Sequence, residues 1–132
     1  MCADSNTWIA FFANIPGADV DALRENLINS ATVMSPIVLS ELFSDPNFPA
    51  SYRSRLTSLQ LLEIHEGFWE RSGILRASLI KRRLKAKLAD TLIAQLCIDH
   101  RVSLVTRDRD FTHFARYAGL KLAGTNPSAR SD

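Results

Sequence analysis

Hydrophobic residues recur along this chain in two patterns, one typical of helices and one typical of buried strands. Val20, Leu23, Leu27 and Ile28 follow a helical spacing, and charged residues fall between them. Residues 102–105 form a short apolar run bounded by charges, as in a strand buried within a parallel sheet. The alternation of helical patterns with short apolar runs predicts an α/β domain.

Cap and turn residues divide the chain into elements. Ser35 and Pro36 predict a helix start, because the serine hydroxyl can cap the helix and proline favours its first position. That helix is expected to stop before Asp45, and Gly119 is expected to cap the last helix. Residues 1–4 are too few for a strand to be predicted from their pattern alone. The other predicted elements are helices over about 6–13, 20–28, 50–58, 88–100 and 110–118, one from about 68 into the basic run 81–87, and strands over 31–34, 60–64, 102–105 and 120–122.

Length and composition indicate one domain. The 132 residues predict a domain over 1–123 and a loose polar tail over 124–132. Because the net charge is only +2, nucleic-acid affinity would have to come from local basic clusters. Cys2 and Cys97 form no Cys-x-x-Cys motif, which disfavours zinc and a disulfide framework and suits a reducing cytoplasm. Without a visible signal peptide or an apolar stretch of about 20 residues, we expect a cytoplasmic protein with no membrane segment.

Five acidic residues occupy positions where a charge is costly unless something compensates it. Asp4 follows the first apolar residues, and Asp108 and Asp110 follow the strongest predicted strand. Glu41 and Asp90 stand beside apolar helical stripes. Ordinary explanations remain open, because Asp4, Asp90 and Asp108 could cap helices and Glu41 could be an exposed surface residue.

The predicted fold would bring these carboxylates together. Chemistry in a parallel α/β sheet collects at the carboxyl ends of the strands, where Asp4 and Asp108 are expected. Glu41 and Asp90 could project from helices into the same crevice. Such carboxylates would repel one another without a cation, and hard oxygen ligands suit Mg²⁺ or Mn²⁺. A bound metal of this kind can activate water and orient a phosphate, so the pattern predicts metal-dependent chemistry on a phosphodiester.

At these residues the chain resembles the PIN-domain ribonucleases, and within them the VapC toxins of bacterial toxin–antitoxin pairs. The resemblance covers about residues 1–122 and implies a three-layer α/β/α fold around a central parallel sheet. It also implies an endoribonuclease that depends on Mg²⁺ or Mn²⁺. The motifs that carry the resemblance, in order, are Asp4-Ser5-Asn6, Ser40-Glu41-Leu42, the segment 89–94 around Asp90, and the segment 106–111 around Asp108 and Asp110.

The resemblance implies a role for each acidic residue. Asp4 and Asp90 would be direct metal ligands, and Asp108, with Asp110 nearby, would complete the pocket or hold the metal through water. Glu41 would hold a second metal or position the attacking water. Whether Asp108 or Asp110 is the fourth acidic residue of the site stays open. The residues that would orient the carboxylates are Ser5, Asn6 and Thr106.

Basic residues near the acidic motifs are candidates for RNA binding. The run before Asp90 could be a solvated helix end favoured by the helix dipole, or a rim that binds phosphates. Arg107, beside Asp108, could bind phosphate or pair with an acid. The candidates for RNA binding are Arg82, Arg83, Lys85, Lys87 and Arg107. The histidines share no motif, so a metal-free ribonuclease with a histidine acid–base pair is disfavoured.

Three functions fit the residues and the resemblance. The first is a toxin that cleaves structured RNA such as tRNA or rRNA, is blocked by a small VapB-like antitoxin, and forms a homodimer through helix faces near residues 38–42 or 68–79. The second is a regulatory module with little nuclease activity that binds operator DNA only together with its antitoxin. The third keeps the site but acts on DNA or in RNA processing. The intact acidic set favours a nuclease over a purely regulatory module.

Overall fold

Three short parallel strands form the centre of the fold. The computed structural model describes residues 1–123, in which the strands are β1 (Cys2–Ala3), β2 (Leu104–Val105) and β3 (Leu122–Ala123). The strand order is β1-β2-β3, so the long crossover between β1 and β2 contains most of the helices. Cys2 pairs with Leu104 and Leu104 pairs with Leu122. The predicted α/β fold with a central parallel sheet is therefore confirmed.

The two strands predicted over 31–34 and 60–64 are present only as isolated β-bridges on the β1 side of the sheet. Val33 pairs with Cys2, and Met34 pairs with Leu61, both in parallel orientation. In the segment 60–64 only Leu62 is buried, so this edge position has little apolar surface to extend a strand. The predictions of strands over 31–34 and 60–64 were therefore too long.

Seven α-helices surround the sheet within residues 1–123, and most begin and end close to the predicted positions. The predicted helix over 110–118 is the exception, because it starts with a 3₁₀ turn, Arg109–Phe111. Ser35 caps its helix by accepting from two backbone N–H groups, and Gly119 ends the last helix in the left-handed region. The helices are α1 (Ser5–Phe12), α2 (Ala18–Ile28), α3 (Pro36–Phe43), α4 (Ala50–Thr57), α5 (Phe68–Lys81), α6 (Leu88–His100) and α7 (Thr112–Ala118).

Helix packing places α6 near the centre of the fold. It contacts α3, α5 and α7, and six of its residues, 91 and 93–97, are buried. Cys97 lies in this core with Cys2, and both thiols are free and buried. Within the described residues, no helix is long and apolar enough to cross a bilayer. The predicted tail over 124–132 lies outside the described residues.

The dimer faces predicted near residues 38–42 or 68–79 stay untested, but four apolar side chains within those ranges are not available for contacts between chains. Val38 and Leu42 of α3 and Phe68 and Leu79 of α5 are buried in the core of the single chain, where none is more than 2% exposed. They cannot also form an interface between two chains. The homodimer stays a prediction, and the apolar side chains of α5 that are exposed are Trp69, Ile74 and Ile80.

Candidate metal centre

Asp4 lies at the point where β1 ends and α1 begins. Its backbone N–H donates to Val105 at the end of β2, with 2.9 Å between nitrogen and oxygen. Its side chain caps α1 by accepting from the backbone N–H of Ser5 at 2.8 Å. The residue is only 3% exposed. Asp4 is therefore both a helix cap and a buried carboxylate at the carboxyl edge of the sheet.

The segment after β2 carries two further carboxylates in a closely bonded loop. The Thr106 hydroxyl donates to Asp4 Oδ2 at 3.1 Å and accepts from the backbone N–H of Asp108 at 3.0 Å. Asp108 then accepts from the backbone N–H of Asp110 at 2.9 Å and caps the 3₁₀ turn. We name residues 106–110 the Asp108 loop. Thr106 links it directly to Asp4, as its predicted orienting role requires.

Asp90 completes the acidic cluster from the first turn of α6. The residue at the cap position of this helix is Lys87, so Asp90 does not act as the cap. One carboxylate oxygen from each of Asp90, Asp108 and Asp110 can be chosen so that all three lie within 4.8 Å of one another. All three side chains are partly exposed. Because Asp108 and Asp110 both lie in this group, the structure does not decide which of them is the fourth acidic residue of the site.

Glu41 approaches the cluster from α3 at its exposed rim. Burial raises the pKa of Glu41, the Ser5 side chain lowers it by hydrogen bonding, and the charge of Asp90 raises it. Ser5 therefore contacts Glu41 through its side chain and Asp4 through its backbone. Asn6 is exposed on the first turn of α1, and within the described residues its side chain bonds to no carboxylate of the cluster.

The carboxylates penalise one another's ionisation. Burial, together with the charges of Glu41 and Asp108, raises the pKa of Asp4 to about 6, against hydrogen bonds from Thr106 and Ser5. Burial and the charges of Asp4, Asp108 and Asp110 raise the pKa of Asp90 to about 6. Such shifts mean that each carboxylate gains from a proton or a nearby cation. Clusters of this kind occur preferentially at functional sites.

The donor set suits a divalent metal. Asp4, Asp90, Asp108 and Asp110 offer hard carboxylate oxygens, which Mg²⁺ and Mn²⁺ prefer. The cluster is partly exposed, so water molecules can also be ligands of the metal, as Mg²⁺ sites usually require. Burial first, and the charges of neighbouring carboxylates second, raise the pKa values of Asp4 and Asp90, and a cation at this place would offset both. The residues present therefore fit such an ion.

The basic residues predicted to bind RNA lie in several different environments. The Arg82 guanidinium stacks over the Tyr117 ring at 4.4 Å from its centroid, and Arg83 is exposed. Lys85 Nζ lies 3.3 Å from Asp110 Oδ2, so this lysine already meets the cluster. Lys87 is close enough to lower the pKa of Asp90. RNA binding by these side chains stays a prediction.

Arg107 has a partner that sequence reasoning missed. Its Nε and Nη2 donate to the two carboxylate oxygens of Asp19, at 2.9 and 3.0 Å. Burial raises the pKa of Asp19, but hydrogen bonds from Arg107 and Thr7 outweigh it, and the net pKa is lowered. Asp19 escaped notice because an acidic residue in the first turn of a helix is ordinary. Its signal is burial two residues after Gly17, which the pattern alone does not reveal.

Two of the three histidines, His65 and His100, form a pair of their own. His65 and His100 stack on each other with ring centroids 4.3 Å apart, and His100 Nε2 lies 2.7 Å from the carbonyl oxygen of Glu63. This pair adjoins the end of α6 opposite to Asp90.

Comparison with known proteins gives a family match and several similar folds. The family model described as PIN domain matches residues 1–117. No curated protein sequence matches the chain. The VapBC complex from Salmonella typhimurium, solved with bound DNA, has a chain with 24% identity and a TM-score of 0.71; the match covers 92% of this chain and 94% of that one.

Two further structures have similar folds. VapBC2 from Rickettsia felis, bound to a DNA fragment from its promoter, matches with 22% identity, a TM-score of 0.67, and coverage of 92% of this chain and 95% of that one. A toxin–antitoxin complex from Klebsiella pneumoniae matches with 21% identity, a TM-score of 0.65, and coverage of 95% and 98%. At these identities the likeness establishes the shared fold.

Proposed function

Because this chain belongs to the PIN domain family, we propose that it is a metal-dependent endoribonuclease, the toxin of a VapBC-type toxin–antitoxin pair. The observation that carries the proposal is the convergence of Asp4, Asp90, Asp108 and Asp110 where β1 and β2 end. The fold shared with chains of VapBC complexes supports the toxin assignment. The substrate class is structured RNA, such as tRNA or rRNA.

The acidic residues of the site would have different roles. Asp4 and Asp90 are assigned as direct ligands of Mg²⁺ or Mn²⁺, and Asp108 and Asp110 as ligands or as partners of metal-bound water. Glu41, at the exposed rim, would hold a second ion or orient the attacking water. When bound, the metal would lower the pKa of a coordinated water and stabilise charge on the phosphate.

The residues around the carboxylates would fix their geometry. Thr106 and the backbone N–H of Ser5 occupy both oxygens of Asp4, which limits rotation of that carboxylate. The Ser5 side chain lies close enough to Glu41 to lower its pKa by hydrogen bonding. The basic segment that contains Lys85 and Lys87 borders the cluster, so phosphates drawn to these cations would arrive beside the metal ligands.

Partners follow from the same family assignment. We propose that a VapB-like antitoxin binds this protein and blocks the acidic crevice, and that an arginine of the antitoxin is the group best suited to meet the carboxylates. Two of the similar structures contain DNA, which supports binding of operator DNA by the complex through the antitoxin. A homodimer of the toxin is part of the proposal. Cytoplasmic location follows from an RNA target.

A second candidate is a regulatory module with little nuclease activity, acting only in the DNA-bound complex. The DNA in two of the similar structures is the observation that favours it. The electrostatic cost at Asp4 and Asp90 weighs against it, because a purely structural role does not need two carboxylates with pKa values near 6 beside further acids.

Cleavage of total cellular RNA by the purified, antitoxin-free protein tests the proposal. The protein is incubated without metal, with Mg²⁺ and with Mn²⁺, and Asp90→Asn is treated in parallel. We expect cleavage that requires the metal and is lost in the variant, and mapping of the new ends identifies the target. Metal-independent cleavage, or full activity of Asp90→Asn, contradicts the proposed centre. A folded protein that cuts no RNA with either metal favours the regulatory module.

A further inference from the structure

Two ion pairs of similar burial lie at different places in the fold, and only one of them adjoins the acidic cluster. The side chains of Arg107 and Asp19 are 34% and 6% exposed, and those of Arg71 and Asp99 are 41% and 10% exposed. Arg107 directly precedes Asp108, whereas Asp99 lies near the far end of α6. The first pair is therefore placed to act on the candidate metal ligands.

The Asp19 carboxylate joins three segments of the chain. It lies in the first turn of α2, and it accepts both hydrogen bonds from Arg107 of the Asp108 loop. Thr7 of α1 donates its hydroxyl to Asp19 Oδ2 at 2.9 Å. A guanidinium that bonds through two nitrogens fixes both distance and orientation, unlike a single contact. The pair thus anchors the loop to two helices at once.

Gly17 makes the room that this pair occupies. A Cβ atom at position 17 would lie 2.5 Å from Asp19 Oδ1 and 2.8 Å from Arg107 Nη2. Real side chains do not approach so closely, so a larger residue would push the pair apart. The backbone of Gly17 is extended, with φ 167°, so the requirement concerns space and not conformation.

The loop is held from both sides at consecutive residues. Thr106 bonds to Asp4, and Arg107 bonds to Asp19. Asp108 follows directly and accepts the backbone N–H of Asp110, so a shift of the anchor at Arg107 would move both carboxylates together.

We propose that Arg107 is a positioning residue, whose paired contact with Asp19 holds the Asp108 loop so that Asp108 and Asp110 meet Asp90. This inference rests on the proposed metal centre. It assigns the Arg107 guanidinium to a contact within the protein, in place of the RNA phosphate predicted from sequence.

The sign of a metal-affinity change separates this role from a simple charge effect. Removal of the Arg107 charge leaves Asp19 unneutralised, which makes the region more negative and by itself strengthens cation binding. Loss of position has the opposite effect, because Asp108 and Asp110 would no longer be held beside Asp90. Weaker metal binding in a variant that lacks this cation is therefore diagnostic.

Titration calorimetry with Mn²⁺ on the full chain supplies the first test. We expect Arg107→Met to weaken Mn²⁺ binding by about tenfold or more, as is usual for residues that support metal ligands. Arg107→Lys should recover part of the affinity, since it keeps one donor and the charge. The matched control, Arg71→Met, loses an ion pair of similar burial and should keep the affinity within about twofold, because remote charges are screened.

A double variant keeps the test valid if Arg107→Met alone fails to fold. Asp19→Asn combined with Arg107→Met leaves no unpaired buried charge, and it should still weaken Mn²⁺ binding. Hydrogen exchange of the Asp108 and Asp110 amides provides a readout that needs no metal. We expect faster exchange in Arg107→Met and in the double variant, but not in Arg71→Met.

The outcomes distinguish this inference from the proposed function. If the parent protein binds Mn²⁺ and the Arg107 variants bind it equally or more tightly, the positioning role is wrong and the metal centre stands. If the parent binds no Mn²⁺, the metal centre is wrong, and the positioning role that rests on it is overturned as well.

Discussion

The two ends of α6 carry one aspartate each, and the two carboxylates are in opposite states. The pKa of Asp90, in the first turn, is raised to about 6, whereas the pKa of Asp99, near the last turn, is lowered. The helix dipole acts the other way, because it favours a negative charge at the start of a helix and disfavours one at its end. Burial and neighbouring charges at Asp90, and hydrogen bonds at Asp99, therefore outweigh the dipole.

The neighbours explain the difference. At Asp90, burial and the charges of other aspartates disfavour ionisation, and Lys87 opposes them. At Asp99, burial is outweighed by hydrogen bonds from Arg71 and Gln95. The charge of Asp99 is thus compensated inside the protein, which is typical of a structural role. The charge of Asp90 is left for a cation from outside, which is typical of a binding site.

The largest expected difference between the two ends is in cleavage. Asp90→Asn should lower kcat/KM for RNA by at least about 100-fold, since even residues that only support metal ligands cost 10- to 100-fold. Asp99→Asn should leave kcat/KM nearly unchanged, because its contacts lie at the other end of α6. Single-turnover assays at saturating Mg²⁺ provide the measurement. Equal losses in the two variants would remove the functional distinction between the ends.

The pH dependence of stability provides a second contrast, in the metal-free protein. The pKa of Asp4 is raised from 3.8 to about 6, so the folded state holds this proton more tightly than the unfolded chain does. The free energy of unfolding should therefore fall as the pH rises from about 4 to about 7, by about 2 kcal/mol from Asp4 alone. Urea titrations in EDTA at several pH values measure this slope.

Two controls define the source of that slope. Asp4→Asn should flatten it while keeping the helix cap, since asparagine also caps well. Asp19 and Asp99 have lowered pKa values, so the stability they contribute is present at neutral pH and is lost only as the pH falls below about 4. An unchanged slope in Asp4→Asn would show that the raised pKa of Asp4 is not its source.

Stability at neutral pH should change in opposite directions at the two ends of α6. Asp99→Asn should lower the free energy of unfolding by about 1–2 kcal/mol, because Arg71 loses its charged acceptor. Asp90→Asn should raise that of the metal-free protein by up to about 1 kcal/mol, a value reduced for solvent screening, because carboxylate crowding is relieved. Chemical denaturation at pH 7 in EDTA measures both. Destabilisation by Asp90→Asn would mean that its carboxylate is already compensated.

The fold was predictable where local pattern dominates and less so where distant contacts decide. Helix α6 has the predicted bounds, and β2 lies within the predicted run 102–105, because their apolar patterns are strong. The strands near Val33 and Leu61 depend on an edge position in the sheet, which no local pattern encodes.

The candidate site follows the same rule. That Asp4 and Asp108 would meet followed from the position of chemistry in parallel sheets, although their roles as ligands stay predictions. The pairing of Arg107 with Asp19 did not follow, because 88 residues separate them and the sequence offered phosphate as an equal partner. Sequence reasoning therefore found the carboxylates and missed one contact that holds them.

The smallest expected effect concerns Lys85, a cation in contact with the cluster. Lys85 Nζ lies 3.3 Å from Asp110 Oδ2, and its side chain is 60% exposed. An exposed pair of this kind contributes about 0.2–1 kcal/mol, so Lys85→Met should strengthen Mn²⁺ binding by only about two- to fivefold at low salt, and by less at high salt. Lys81→Met removes the same charge from the same basic run and is the control.

The effect of Lys85→Met depends on whether Lys85 compensates Asp110 as Arg71 compensates Asp99 at the far end of α6. The Arg71 contact is partly buried and is accompanied by a second donor, Gln95, whereas the Lys85 contact is a single exposed approach. A tethered ammonium at this position competes with a metal for the same oxygen, so its removal should favour the metal. Weaker Mn²⁺ binding in Lys85→Met would show instead that the lysine holds Asp110 in place, and the cluster would then have an internal cation after all.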